Sequence, residues 1–564
     1  MICPSLRRCP NAQVTGPTVL AIMDGIGQGR GDQGDAVAAA ATPNLDRYAK
    51  GAMSASLAAH GTAVGMPSND DMGNSEVGHN AMGAGRIFDQ GAKRVAEAIA
   101  SGDVFRTDIW QRMVGHCAHQ RATLHFIGLL SDGNVHSHID HLLAMLQRTH
   151  SDQVPSVRVH ILLDGRDVAR TSALIYVERL EALLSQINGQ PNRHYAIASG
   201  GGRMVITMDR YGADWPMVAR GWQTHVLGQV GPTSDPLAPT WAPSAGAAIA
   251  AQRAANPGLG DQDLLPFVVG QQGQPLGPIR DGDCVIAFNF RGDRMLQWVR
   301  ATEEADFKNF ARPSRPDVLF AGMTQYDGDT QRPKNFLVTP PAIDCTVSEL
   351  LCGAGVRQLA CSETQKFGHV TYFWSGNRSS AFDKNLEEAI EIPSLSVPFA
   401  QQPQMRAQEI TTAVLQRLQA GQLNFARLNY ANGDMVGHTG DFAATVKAVQ
   451  EVDRCLGILE KTVLALGGML VVTADHGNAE DMVERDKKTS VPLRDEHNGL
   501  IAKTSHSLNP VPLHFVAPPA LLSRLELTHP PQPGLGNLAA TLCVLLGFVA
   551  PEIYLPPLLA WRLR

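Results

Sequence analysis

The sequence predicts an α/β protein built on parallel sheets, and three observations carry that expectation. Short apolar runs alternate with helical patterns along the chain. Five of those runs end directly in polar, potentially reactive residues, the place where open parallel sheets bind ligands. Glycine and proline, at 53 and 35 residues, are scattered and not gathered into one tail, which fits many tight loops. A chain of 564 residues corresponds to roughly two to four domains at about 150 residues each. With 44% hydrophobic and 18% charged residues it can bury a sizeable core and needs little disorder.

Taken in order, the first strand runs from Thr18 to Met23 and stops at Asp24-Gly25. The run from Thr123 to Leu130 stops at Ser131-Asp132-Gly133, and that from Val157 to Leu163 at Asp164-Gly165-Arg166-Asp167. Cys284 to Phe288 leads into Asn289-Phe290-Arg291, and Gly468 to Thr473 into Ala474-Asp475-His476. Glycines punctuate Gly73 to Gly91 ahead of a helix starting near Ala92, one candidate boundary. Pro232 to Pro278, rich in Pro, Gly, Ala and Gln, reads as a decorated loop or small helical insertion. Asp327 to Pro341 reads as a linker between a middle and a C-terminal domain.

Composition excludes several classes. A net charge of −6 argues against a general nucleic-acid binder, which needs a basic face. The nine cysteines are dispersed, with no C-x-x-C pair, so a disulfide scaffold and a cysteine zinc knuckle are excluded and a reducing compartment is expected. No run of 18 apolar residues exists, and Leu542 to Ala550 is too short to span a bilayer. The first sixteen residues lack an apolar core or an amphipathic helix and read as a disordered extension. The C-terminal Arg-Leu-Arg is not a peroxisomal address. No lysine lies between Lys93 and Lys308, while arginine is abundant there. Composition bias explains most of that, but some of those arginines are candidates for bidentate oxyanion grips.

The candidate chemistry falls into four sets. Asp24, Asp434, His438, Asp475, His476 and His506 combine carboxylate and imidazole without thiolate, a donor set for Mn2+, Zn2+, Co2+ or Fe2+. Each alone is weak, since a lone aspartate after a strand is more often a cap. Together they suffice for two ions about 4 Å apart. Ser75 lies among glycines where a helix begins. It is either an N-cap or a metal-activated nucleophile, with Gly73 and Gly78 letting a phosphoryl group approach backbone N–H groups. Arg166 with Asp167, Arg203, Arg210, Arg291, Arg294 and Lys366 sit at strand ends or Gly-rich turns. Any one arginine is more often a surface ion-pair partner, but five so placed suggest clamps for phosphate and carboxylate. His136 in Ser131-Asp132-Gly133-Asn134-Val135-His136-Ser137-His138 is either a satisfied loop histidine or a proton carrier.

These segments resemble one family closely. Gly73-Asn74-Ser75-Glu76-Val77-Gly78-His79-Asn80, Ser131 to Ser137, Asp164-Gly165-Arg166-Asp167, Phe288-Asn289-Phe290-Arg291, Glu363-Thr364-Gln365-Lys366 and Ala474-Asp475-His476-Gly477-Asn478 are similar to 2,3-bisphosphoglycerate-independent phosphoglycerate mutases of the alkaline phosphatase superfamily. The similarity runs from about Thr18 to about Pro551 in the family's order, and the long insertions resemble the plant and trypanosomatid type. It implies a split phosphatase-like, metal-binding domain, 17–89 with 338–564, and an inserted α/β transferase domain at 90–337.

The resemblance further implies one metal on Asp434, His438 and His506, and a second on Asp24, Ser75, Asp475 and His476. Mn2+ is preferred to Co2+, Mg2+ or Zn2+. Ser75 would carry the phosphoryl group, and His136, Arg166, Asp167, Arg203, Arg210, Arg291, Arg294 and Lys366 would contact the substrate. The implied activity interconverts 3-phosphoglycerate and 2-phosphoglycerate, in glycolysis and gluconeogenesis, in a cytoplasmic monomer with no nucleic-acid or membrane partner. Ile26 and Asn69 depart from the family's usual tryptophan and acidic residue, and the first sixteen residues match nothing. A metal-dependent phosphomonoesterase using the same Ser75 is the nearest rival, and a non-catalytic phosphosugar-binding protein is the rival from another class. A sulfatase is disfavoured because its Cys/Ser-x-Pro-x-Arg signature is absent.

Overall fold

The computed structural model describes residues 3–562 apart from 13, 52, 67, 89–90, 210–213, 233, 272, 328–329, 340–342 and 487–488. The chain forms two compact units, Met1–Gln90 with Pro341–Arg564, and Gly91–Pro340.

The first unit is built on a seven-stranded sheet in the order Glu387–Ile392, Gln358–Glu363, Phe425–Tyr430, Thr18–Met23, Met469–Thr473, Val511–Val516, Ser54–Leu57. The first five run parallel. Val511–Val516 and Ser54–Leu57 close the far side in antiparallel pairings. Thr18–Met23, Phe425–Tyr430 and Met469–Thr473 are buried along their whole length, and the first and last read as unbroken apolar runs and not as alternation. The central strand Thr18–Met23 pairs on both sides with strands from the C-terminal part of the chain, so neither part can complete this sheet alone. The long helix Phe442–Ala465 is capped by Asp441, which accepts from Ala444 N–H. It buries Val449, Val452, Leu456, Leu459 and Val463, spaced three and four apart.

The second unit carries a sheet in the order Phe336–Val338, Leu319–Thr324, Cys284–Ala287, Thr123–Leu130, Ser156–Leu163, His194–Gly202, Phe267–Gln271, Thr240–Ala242. The first six are parallel. Phe267–Gln271 turns antiparallel, and Thr240–Ala242 extends the edge. Leu129, Leu162, Ile206, Trp222, Trp298 and Phe320 pack in one buried cluster in this unit.

Four sequence expectations change here. The segment from Pro232 to Pro278 is not a loop or helix alone; besides the helix Ala245–Ala255 it supplies the edge strands. Those strands are short and flanked by Gly and Pro, which hides their period. The expected linker around Asp327–Pro341 contains Phe336–Val338, an edge strand parallel to Leu319–Thr324. Residues 7–9, read from the sequence as part of a disordered extension, lie against the C-terminal segment. Val549 N–H donates to Arg7 O at 2.8 Å, Cys9 N–H to Gly547 O at 2.9 Å, and the Arg8 guanidinium sits 4.4 Å from the Phe548 ring centre. Finally, Cys3 and Cys345 form a disulfide across 342 residues, where the sequence suggested reduced thiols throughout. So distant a pairing leaves no local spacing to read. Among the described residues no helix is long and apolar enough to cross a membrane.

Candidate active site

The first unit gathers its polar side chains at the carboxyl edge of the parallel strands. Asp24 follows Thr18–Met23, Asp475 and His476 follow Met469–Thr473, and Lys366 lies in the helix Thr364–Gly368 directly after Gln358–Glu363. Asp434 and His438 come from the turn-helix after Phe425–Tyr430. His506 precedes Val511–Val516, which runs antiparallel and so starts at the same edge. Gly25, at φ +71, lets the chain turn here; a Cβ on it would fall 2.6 Å from Asp434 N.

Ser75 opens the helix Ser75–Ala84, but it is not the cap. Asn74 accepts from Val77 N–H at 3.2 Å, which leaves the Ser75 hydroxyl to the cluster. Ser75 Oγ lies 3.0 Å from His476 Nε2 and 3.2 Å from Asp24 Oδ1, and Lys366 Nζ donates to it. The glycines around it are required by close packing. A Cβ on Gly73 would sit 2.0 Å from Ala59 O, and one on Gly78 2.6 Å from Asp475 O.

The histidine tautomers are set from behind. His438 Nδ1 faces Thr504 O at 2.5 Å and His506 Nδ1 faces Gly73 O at 2.7 Å. A carbonyl only accepts, so both Nδ1 atoms carry hydrogen and, in the neutral rings, both Nε2 atoms present lone pairs. Those lone pairs lie 3.0 Å apart and converge on Asp434 Oδ1 at 2.9 and 3.0 Å. Three acceptors aimed at one another repel unless a cation joins them, so the donor set fits a metal ion. Asp24, Asp434 and His476 form a second such group. Asp434 thus belongs to both groups, while the Asp475 carboxylate is 3.8 Å from His476 Nε2. Lys366 Nζ lies 2.6 Å from Asp24 Oδ1 and 2.8 Å from Asp434 Oδ2.

The electrostatics agree with that geometry. Burial disfavours charge on Asp434, but Lys366 and His438 outweigh it and hold the carboxyl well below its usual range. Burial likewise opposes a charged His476. Asp475, Asp24 and Asp434 overcome it and push the imidazolium up to about 9.

The second unit gathers a different set at its own carboxyl edge. Arg166 and Asp167 follow Ser156–Leu163, Arg203 follows His194–Gly202, and His136 lies beyond Thr123–Leu130. Arg291 and Arg294 lie beyond Cys284–Ala287, and all six are buried. Arg203 is the hub: Nη1 reaches Asp164 Oδ1 at 2.8 Å and also Asp167, and Nη2 donates to His136 Nε2 at 2.7 Å. Arg has no lone pair to offer, so His136 Nε2 accepts and its hydrogen sits on Nδ1, 3.7 Å from Asp293 Oδ1. Arg291 Nε donates to Asp293 Oδ1 at 3.0 Å and Arg294 Nη1 to Met208 O at 2.9 Å. Burial works against the Arg203 charge, but Asp167 and Asp164 raise its pKa above the usual guanidinium value. Arg210 lies outside the described residues.

Sequence reasoning left three supporting groups unassigned. His79, one helical turn after Ser75, places Nδ1 2.8 Å from Ser75 O and 3.4 Å from Asp475 Oδ2; its i, i+4 spacing was the available signal. Asn429 donates to Asp24 Oδ2 at 2.7 Å and, buried in the strand Phe425–Tyr430 outside any motif, gave no signal. Asp164 accepts from the N–H groups of Arg166 and Asp167 at 3.1 and 3.0 Å, an Asx turn legible in Asp164-Gly165-Arg166-Asp167.

Buried aspartates and histidines converging on a serine at the carboxyl edge of a parallel sheet define a metalloenzyme, and the sequence matches the family model of the Metalloenzyme superfamily over residues 16–550. The 2,3-bisphosphoglycerate-independent phosphoglycerate mutase of Trypanosoma brucei brucei is 45% identical over 96% of this chain and 97% of its own. That of Zea mays is 47% identical over 94% of each. A crystal structure of Leishmania mexicana phosphoglycerate mutase at low cobalt concentration is 44% identical, with a TM-score of 0.95 over 99% of this chain and 100% of the other. The chain belongs to the 2,3-bisphosphoglycerate-independent phosphoglycerate mutases.

Proposed function

We propose that this enzyme interconverts 3-phosphoglycerate and 2-phosphoglycerate by two transfers through a phosphoserine on Ser75. The observation that carries the reading is the buried Ser75 hydroxyl, 3.0 Å from His476 Nε2 and in contact with Lys366. Serine is a weak nucleophile at neutral pH and needs such surroundings. The Lys366 ammonium donates to Ser75 Oγ and stabilises negative charge developing there. Asp24 Oδ1, 3.2 Å away, accepts the hydroxyl hydrogen bond and orients the oxygen.

Asp434, His438 and His506 would hold one divalent ion, and Asp24, Asp475 and His476, with Ser75, a second. Mn2+ is the first candidate, with Co2+, Mg2+ and Zn2+ behind it. When bound, such ions supply Lewis-acid stabilisation of the phosphoryl oxygens and lower the pKa of the serine hydroxyl. In the second unit, which we read as the substrate-binding transferase domain, the guanidiniums of Arg166, Arg203, Arg210, Arg291 and Arg294 grip the anionic groups of the glycerate. Retention is what separates a mutase from a phosphatase, since glycerate must reorient and attack phosphoserine before water does. Asp167 or His136 carries the hydroxyl proton. Arg203 donates to His136 Nε2 at 2.7 Å, so that nitrogen becomes a base only once the guanidinium turns to substrate. The first unit is read as the phosphatase-like metal-binding domain, and the chain as a cytoplasmic monomer of glycolysis and gluconeogenesis.

Phosphorus NMR of Mn2+-loaded protein with 3-phosphoglycerate, without 2,3-bisphosphoglycerate, tests the reading. The 2-phosphoglycerate signal should grow to equilibrium; a growing free-phosphate signal in its place identifies a hydrolase.

A further inference from the structure

The arginines that the proposed reaction leaves unused lead to a second place in the second unit. At the opposite, amino-terminal edge of its sheet, a cavity of about 680 Å3 is lined by His116, Arg121, His125, Arg158, Arg280 and Asp283, among others. Thr123–Leu130, Ser156–Leu163 and Cys284–Ala287 all begin there. That volume lies within the range of small-molecule sites.

Arg158 is held in place by carbonyl oxygens; burial lowers its pKa, and the Asp283 charge offsets part of that through space without a direct ion pair. Its Nε donates to Leu276 O at 2.8 Å, and its Nη1 to Val157 O at 2.9 Å and His194 O at 2.5 Å. Gly277 makes room for its stem: a Cβ there would lie 2.6 Å from Arg158 Cγ. Among the described residues no carboxylate forms an ion pair with Arg158, Arg121 or Arg280, although surface arginines elsewhere in the unit, such as Arg148 and Arg179, do have such partners.

The two acids of the cavity are already engaged by neutral donors. Asp281 Oδ1 accepts from Asp317 N–H at 2.7 Å. Asp283 accepts from Thr123 N–H and Arg280 N–H, both at 2.8 Å, and from His125 Nε2 at 3.2 Å. His125 is fixed in that role by a buried chain. His160 Nε2 lies 3.0 Å from His125 Nδ1, Ser199 Oγ 2.7 Å from His160 Nδ1, and His225 Nδ1 2.7 Å from Ser199 Oγ. Thr207 Oγ1 lies 3.1 Å from His225 Nε2. If every member donates toward Asp283, all are satisfied with neutral imidazoles. Burial favours the neutral forms: it lowers His160 and His225, and it lowers His125 against the pull of Asp283. The carboxylates therefore face donors already in place, while three arginines from three segments line the cavity, Arg158 with its Nη2 uncommitted to these carbonyls.

We propose that this cavity binds a phosphate group, free or carried on a small molecule, held by Arg121, Arg158 and Arg280. Guanidiniums brought from separate segments offer donors in more than one plane, which suits a tetrahedral dianion better than a planar carboxylate. The volume exceeds a lone phosphate and leaves room for an organic part, whose hydroxyl groups would meet His116 and Asp281.

The test is hydrogen–deuterium exchange on metal-loaded full-length protein titrated with inorganic phosphate and, separately, with ribose 5-phosphate. Peptides covering 116–125 and 276–284 should exchange several-fold more slowly at saturation. Arg280→Gln, on an exposed side chain, and Arg158→Gln should each raise the half-saturating concentration by roughly tenfold, the equivalent of one charge-assisted contact. Protection by ribose 5-phosphate at much lower concentration than by phosphate assigns a phosphoester ligand, and equal potency assigns free phosphate. Both support the site. No protection by either probe, or protection that survives Arg280→Gln, overturns it.

Discussion

The two polar clusters occupy equivalent places, each at the carboxyl edge of a parallel sheet, yet they are composed in opposite senses. In the first unit, acceptors face acceptors: His438 Nε2, His506 Nε2 and Asp434 Oδ1 meet within 3.0 Å with every Nδ1 hydrogen directed to a carbonyl behind. In the second unit, donors predominate, but each already meets protein acceptors: Arg203 meets Asp164 and Asp167, and Arg291 meets Asp293. The first arrangement demands a cation. The second is buffered internally, so on the proposed reading an anionic substrate would exchange with carboxylates and need not fill a naked cationic hole. The balance of acceptors and donors at each edge thus distinguishes the two clusters on one fold plan.

The largest effect should come from the point where the first cluster does chemistry. Ser75→Ala should lower kcat by at least about a thousandfold with the thermal melt preserved. Turnover near wild type, with contaminating enzyme excluded, would sink the nucleophile assignment. Chelation should remove activity nearly as completely, and Mn2+ or Co2+ should restore it. Full activity in protein shown metal-free by elemental analysis would refute the cation demand.

Next comes the hub of the second cluster. Arg203→Lys keeps a charge but loses the fork that spans Asp164, Asp167 and His136. It should reduce kcat/KM by about a hundredfold and also lower Tm, because two buried carboxylates lose their shared partner. Unchanged steady-state kinetics would reduce the cluster to a structural role.

The pH dependence sharpens the comparison. His476 in the protein alone is pushed up to about 9, so an arriving ion displaces a proton at neutral pH. Apparent metal affinity should fall about tenfold for each pH unit below about 9 from this group, a range above that of a free imidazole at about 6.5. Calorimetric titration of Mn2+ between pH 6 and 9 measures it, and a flat affinity would contradict it.

The smallest effect belongs to a buried acid outside both clusters. Burial raises Glu363 to about 7. The native state therefore binds more protons than the unfolded chain between about pH 4.5 and 7, and stability falls as pH rises through that window. Glu363→Gln should match wild type near pH 4 and exceed it by about 1–3 kcal/mol at pH 8 in urea melts. A gap independent of pH would locate the effect elsewhere.

Much of this was legible along the chain. The run from Thr18 to Met23 coincides with the observed strand because full burial leaves an unbroken apolar signature with a sharp polar end. The candidates at strand ends were legible for the same reason. Contributions made across the sequence were not. Nothing near Cys3 indicates Cys345, and nothing near Phe267–Gln271 indicates that it pairs with His194–Gly202. Asn74 takes the capping role from Ser75, a choice that depends on where the first helical turn starts and not on residue type. The packing role of the glycines beside Ser75 was not legible, because their close neighbours, Ala59 O and Asp475 O, come from distant segments.

The pairing of Thr18 with both Phe425 and Met469 also imposes an order on synthesis. The central strand leaves the ribosome first and waits for roughly four hundred residues before either neighbour exists, about 20–80 s at ordinary elongation rates. The second unit lies wholly within that interval and can fold meanwhile, since all the strands of its sheet are contiguous in the chain. Through the wait, Thr18–Met23 is an apolar strand with both edges open, the kind of segment that aggregates. The unit that carries Ser75 is therefore the last to close, and a holding chaperone working on the nascent chain would find its client in the first ninety residues.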